Sequence, residues 1–256
     1  LALVSIANGQ YRTLSQLPGA GYKATISPDG SMVVMREAHL ADQSMSIHTL
    51  DLATMQRSTI VSHGPHVNNI DLSRGQLTIP LNSRLTTRAV SSTRMKAAPR
   101  LTTPATLVTE EDLKMVVYRN GVRHVVDPIL ASDGRDVNYC WTSLSPDGTR
   151  LLFVAHNTAY TSDLDGNDLV DLGPLHAPVW RDNDWVVGMI DSDDGHVITK
   201  SDIHIVAARD SSRRQLLTPH DGIVKMFPAV SPDGHKVAYN TIDGDLYIFN
   251  ITPLSQ

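Results

Sequence analysis

The chain contains a single cysteine, Cys140, so no internal disulfide framework can staple it. Lysine is scarce as well. Six lysines and sixteen arginines face 27 acidic residues, for a net charge of −5 and a pI near 6.1. No basic block stands out, and the electrostatic footprint of a nucleic-acid binder is missing. No apolar run approaches the ~20 residues that a membrane-spanning helix needs. Leu1-Ala2-Leu3-Val4-Ser5-Ile6 has no basic flank and soon meets Asn8-Gly9, so it reads as a strand and a turn. The expectation is a mature or truncated chain lacking its targeting segment. Helical periodicity is nearly absent, with Glu110 to Val117 the one stretch that carries it.

What is present is a repeat. Ser-Pro-Asp-Gly occurs at residues 27–30, 145–148 and 231–234, each time between two apolar β-type runs. Pro presets φ for the first corner of a turn, Asp bonds its own backbone, and Gly takes positive φ without a Cβ clash. Each copy therefore reads as strand, turn, strand. Degenerate copies fill the gaps, with Asp71, Thr109 and Arg181 at the place of the motif's Ser. The six anchors at 27, 71, 109, 145, 181 and 231 are then 44, 38, 36, 36 and 50 residues apart. Four-stranded propeller blades repeat at about 40–45 residues.

The second half of each unit supports this. Third and fourth strands follow at Ser46–Leu50 and Ser58–Val61, at Ala159–Ser162 and Leu169–Leu172, and at Asp202–Val206 and Arg214–Thr218. Residues 84–100 alternate poorly, and no outer strand is evident after Val126. The sixth unit stops at its third strand, Leu246–Asn250, while Ala2–Ile6 and Tyr11–Ser15 lack an inner pair. The expectation is an all-β, six-bladed propeller of four-stranded antiparallel blades in a single domain, 1–256, its ring closed by an N-terminal strand.

Phe227–Gly234, Lys236–Tyr239, Asp243-Gly244, Leu246–Phe249 and Arg213–Thr218 resemble the TolB-type, WD-repeat-like propeller repeats of bacterial envelope proteins. The resemblance covers the whole chain. It implies an extracytoplasmic, periplasmic or cell-envelope setting and a protein-binding or scaffolding role, commonly as one part of a larger polypeptide. Propellers also cap peptidases, but those need a separate domain carrying Gly-x-Ser-x-Gly, and this chain has no such pentapeptide.

In a propeller, residues just before the innermost strand face the channel mouth. Five residues before each anchor lie Tyr22, His66, Pro104, Cys140, His176 and Met226. Tyr22, His66, Cys140, His176 and Met226 are the candidate ligand-binding residues. They would hold a protein segment, or a small molecule or glycan. Imidazole, thiolate and thioether also suit a soft divalent metal, and propeller-shaped pectate-fragment lyases carry a His-based metal near the axis. A metal-dependent polysaccharide lyase or related glycan-active enzyme is thus the alternative to a non-enzymatic module without a cofactor. Cys140 reads as a small buried hydrophobe rather than a nucleophile. Asp163–Asp168 and Asp191–Gly195 read as hairpin turns rather than calcium loops, because neither reaches the twelfth-position Glu of an EF-hand. Trp180 and Trp185 read as packing between blades rather than as an aromatic platform.

Overall fold

A computed structural model describes residues 1–73, 75–90, 105–134 and 136–251. The chain is all-β apart from one short helix, and its strands pair with their sequence neighbours in successive antiparallel sheets. β1 (Ala2–Val4) pairs with β2 (Tyr11–Thr13). The next sheet runs β3 (Thr25–Ile26), β4 (Met32–His39), β5 (Ser44–Asp51) and β6 (Arg57–Gly64). It is followed by β7 (Asp71–Ser73), β8 (Gln76–Leu81) and β9 (Arg84–Ala89), then by β10 (Thr106–Glu111), β11 (Lys114–Arg119) and β12 (Val122–Val126). After helix α1 (Pro128–Asp133) come β13 (Cys140–Leu144), β14 (Arg150–Ala155), β15 (Thr158–Asp163) and β16 (Val170–Gly173). The sixth and seventh sheets are β17 (His176–Trp180), β18 (Trp185–Asp193), β19 (Ile198–Ala207) and β20 (Asp210–Leu216), and β21 (Lys225–Val230), β22 (Lys236–Thr241) and β23 (Leu246–Asn250). By contacts the chain divides into two compact units, 1–109 with 118–124 and 110–117 with 125–256. No helix among the described residues is long and apolar enough to cross a membrane.

The three Ser-Pro-Asp-Gly turns close identically. The Ser hydroxyl donates to the Asp carboxylate at 2.6, 2.6 and 2.5 Å in the three copies. Its oxygen accepts the backbone N–H five residues on, at Met32, Arg150 and Lys236. Gly30, Gly148 and Gly234 take φ of 66, 72 and 71°. The Ser–Asp–Gly closure is thus made within the turn itself, which is why it was legible.

The sequence expected a helical pattern over Glu110–Val117; the structure places a hairpin there. Asp112 and Leu113 both adopt positive φ (50 and 63°), the geometry of a two-residue primed turn. Asn82-Ser83, Asn120-Gly121 and His156-Asn157 turn in the same way. Where no outer strand was evident after Val126, α1 stands instead. Asp127 caps it by accepting the Leu130 N–H, Pro128 opens it, and Gly134 ends it at φ 76°. The poorly alternating stretch 84–100 holds β9, and residues 91–104 lie outside the described ones. The two N-terminal strands, outer-type strands without an inner pair in the sequence, form a hairpin with one another.

Two faces of β18 and β19 explain the core. Side chains alternate along a strand, and both sets here are apolar and buried. Val186 and Val206 face Leu152, Val154 and Leu172 of the sheet before. Val187, Met189, Ile203 and Ile205 face Val237 and Tyr239 of the sheet after. In the first unit Met32, Val34 and Ile47 likewise meet Leu72, Leu77 and Ile79. Fully burying each such side chain contributes about 1.5–3 kcal/mol.

Candidate functional site

The expected mouth positions stand at strand entrances. Tyr22 sits in the turn before β3, Cys140 opens β13, His176 opens β17, and Met226 is the second residue of β21. Pro104 lies outside the described residues. What the sequence did not reveal is the residue after each. Lys23, Trp141, Ala177 and Phe227 all adopt left-handed φ, at 44, 51, 43 and 51°. The pairing register slips beside the last three, between Cys140 and Ser143, His176 and Val179, and Met226 and Ala229. A bulge at this point lets two residues oppose one and re-aims the side chain. For a non-glycine residue the conformation costs about 1–3 kcal/mol, and such strain concentrates at functional positions.

The re-aimed side chains are exposed aromatics in two cases. Trp141 is 37 % exposed and Phe227 52 %. Trp141 stacks on His176, ring centroids 6.1 Å apart and planes 30° apart. His176 Nδ1 lies 2.6 Å from Asp191 Oδ1. A carboxylate only accepts, so Nδ1 carries a proton, and in the tautomer this selects Nε2 is the nitrogen with the lone pair. That Nε2 is buried and has no hydrogen-bond partner among the described residues. An indole surface above an unused imidazole acceptor suits a ligand with a flat apolar face and a hydrogen-bond donor. Cys140 and Trp141 also line a cavity of about 270 Å³ with Asp136, Asn138, His156 and Asn157. Cys140 is exposed rather than the buried thiol expected, because the bulge holds it at the strand's first residue; its Sγ lies 3.8 Å from Val154 O. Met226 is partly buried and packs on the Val187–Tyr239 cluster, while Phe227 beside it is the exposed member.

In the first unit, Tyr22 and His66 come together around a second cavity of about 260 Å³, with Arg36, Ala38, Met45 and Asn68. Three further histidines are paired with carboxylates: His48 with Glu37, His63 with Asp42, and His220 with Asp202. Among the described residues no three His, Cys, Asp or Glu side chains gather as a metal-ligand group.

The acidic loops are turns. Asp163 Oδ1 accepts the Asp165 and Asn167 N–H groups, and Asp194 Oδ1 accepts those of His196 and Val197. Trp180 packs on the Leu152–Val206 cluster, and Trp185 lies under Arg213, whose guanidinium carbon is 5.0 Å from the ring centre.

No family model matches the chain, and no curated protein matches it in sequence. Its structure is similar to solved propellers. A chain of the mitotic checkpoint complex matches at a TM-score of 0.63 and 12 % identity, over 98 % of this chain and 84 % of the other. The β-propeller domain of Cps50 (Swd1) from Myceliophteria thermophila matches at 0.57 and 14 %, over 91 % and 84 %. A putative TolB from Agrobacterium tumefaciens matches at 0.55 and 16 %, over 97 % and 83 %. The chain has the β-propeller fold of the WD-repeat and TolB proteins.

Proposed function

We propose that the protein is a non-enzymatic binding module of the bacterial envelope. It holds a partner protein segment through the residues at its strand entrances. The observation that carries this is the repeated left-handed residue. Trp141 and Phe227 are held strained and exposed where Leu or Val would serve packing better. Aromatic side chains set in this way are typical anchors of protein interfaces. Tyr22, His66, Cys140, His176 and Met226 flank them. The envelope setting is supported by the Ser-Pro-Asp-Gly repeats, and the binding role by propellers found in complexes. The six larger sheets are read as the blades of one ring in one domain, closed by an N-terminal strand added at β23, whose Leu246, Tyr247 and Ile248 are exposed. Deleting residues 1–15 then lowers the melting temperature; an unchanged melt removes the closure.

The test is photo-crosslinking in cells. A photoreactive residue at Trp141 or Phe227 should give a discrete adduct that the same residue at Leu40, a fully exposed hairpin position, does not. No adduct at either aromatic site removes the reading.

A glycan-active, metal-dependent enzyme is the second reading, favoured by one feature: the His176–Asp191 pair leaves Nε2 free, as a metal-ligating histidine with a carboxylate behind it would. Near-stoichiometric divalent metal in the purified protein, removed by His176→Ala, would promote it. Metal-free protein with unchanged partner binding would remove it.

A further inference from the structure

Arg36 of β4 is 1 % exposed, and its guanidinium meets four backbone carbonyl oxygens and no carboxylate. Nε donates to Val67 O at 3.0 Å, Nη1 to Tyr22 O and Lys23 O at 3.1 and 2.5 Å, and Nη2 to Asn68 O at 2.5 Å. A guanidinium has five N–H groups. The fifth, on Nη2, has no acceptor among the described residues. A buried charge normally comes with a counter-charge. Here none is supplied, and burial pushes the Arg36 pKa down to about 10.

The same arginine lines the 260 Å³ cavity of the first unit. The Tyr22 ring lies 6.0 Å from the guanidinium carbon, Lys23 Nζ is held on Asn69 at 2.9 Å, and His66 is exposed. Among the described residues no Asp or Glu lines the cavity, and Ala38 with its cross-strand partner Met45 gives it an apolar part. The buried Arg36 guanidinium with an N–H to spare, beside apolar Ala38 and Met45, defines the complement: an anionic group carrying hydrocarbon.

We propose that this cavity binds a small organic carboxylate. Its oxygens meet the remaining Arg36 Nη2–H and His66, and its short apolar tail lies against Ala38 and Met45. A carboxylate matches a guanidinium N–H with a charge-assisted bond, and the low-dielectric setting strengthens it. The inference deepens the binding-module reading at Tyr22 and His66 and rests on that reading.

Titration calorimetry and thermal unfolding at constant ionic strength, with acetate, butyrate and inorganic phosphate, test it. Butyrate should bind more tightly than acetate or phosphate, and at a hundred times its Kd should raise the melting temperature by roughly 5–10 °C. Ala38→Leu, which fills the tail space without touching the guanidinium, should abolish the effect, and His66→Ala should weaken it several-fold. Phosphate binding as tightly as butyrate would overturn the proposal, as would wild-type protein that answers to none of the three. If butyrate fails while the Trp141 adduct forms, the carboxylate site alone falls. If butyrate binds and no adduct forms, it is the partner reading that falls.

Discussion

Lys225 gives the sharpest test of how the second unit is held. Its side chain is 0 % exposed, at the first residue of β21, and its ammonium meets four oxygens. These are Asp202 Oδ1 at 3.0 Å, Asp221 Oδ1 at 2.6 Å, Pro219 O at 2.9 Å and Ile223 O at 3.1 Å. Asp202 lies in β19 and is itself buried, with His220 on its other oxygen. Lys225→Met removes the cation and leaves the Asp202 carboxylate in place, still hydrogen-bonded to His220. Ile223 O and Pro219 O each lose the ammonium as a donor, Pro219 O keeping the Asp221 N–H. Breaking a buried pair from one side costs about 3–5 kcal/mol, which in a chain of this size lowers the melting temperature by roughly 6–20 °C. Burial by itself pushes the lysine pKa down, but the bonds to Asp221 and Asp202 outweigh it and hold the value above the ordinary 10.5. A raised lysine stabilises fully below that ordinary value, and the contribution fades only as the pH climbs past it. The gap between wild type and variant should therefore stay constant from pH 6 to 9. The assay is urea unfolding, followed by circular dichroism and tryptophan fluorescence. It runs as a cycle with Asp202→Leu, since the double variant removes both charges and should recover part of the loss. A single-variant loss below about 1 kcal/mol, or two losses that simply add, would refute the reasoning.

Three further outcomes follow from the geometry. Asp29, Asp147 and Asp233 are held below the ordinary carboxylate value of 3.8, first by the Ser hydroxyl of each turn. A depressed carboxylate stabilises above its ordinary value and loses that effect as the pH falls through the lowered one, so wild type should lose stability below about pH 4. The triple Asp→Asn variant should show a flatter acid limb in urea midpoints measured from pH 6 to 2.5; an unchanged limb contradicts this. Gly188→Ala in β18 would bring a Cβ within 2.4 Å of Leu175 Cγ, and overpacking of that kind costs about 1–3 kcal/mol. Leu175→Ala in the same chain should cancel most of the added strain, which a melting series checks. Phe227→Gly relieves a left-handed residue that is half exposed, so its stability should match wild type or exceed it by up to about 1 kcal/mol. Partner binding should fall in the same protein; a large destabilisation would show that Phe227 serves packing instead.

The turns were legible because Ser-Pro-Asp-Gly closes on itself: in every copy the Ser hydroxyl meets the Asp carboxylate, its oxygen takes the N–H five residues on, and Gly supplies the positive φ. Hairpins built from Asn82-Ser83, Asp112-Leu113 and His156-Asn157 were hidden, since positive φ there falls on residues other than glycine and is imposed by strand pairing. Glu110–Val117 looked helical for that reason. α1 is too short for periodicity to register, although Asp127-Pro128 and Gly134 mark its ends. At the candidate site, spacing from the repeat anchors located the strand entrances. It could not locate the bulges that turn Trp141 and Phe227 outward, because a bulge depends on the partner strand's register. The His176–Asp191 pair and the carbonyl cage around Arg36 are contacts between separate strands and loops, which repeat spacing does not encode.

The most direct test of the central claim is calorimetric. The partner captured at Trp141 should be titrated into wild type, Trp141→Ala and Phe227→Ala, each first shown to be folded by circular dichroism. Anchors of this kind contribute about 2 kcal/mol or more each, so affinity should fall roughly thirtyfold in either variant. Wild-type affinity in both would contradict the account, because the strained aromatic positions would then have no part in binding.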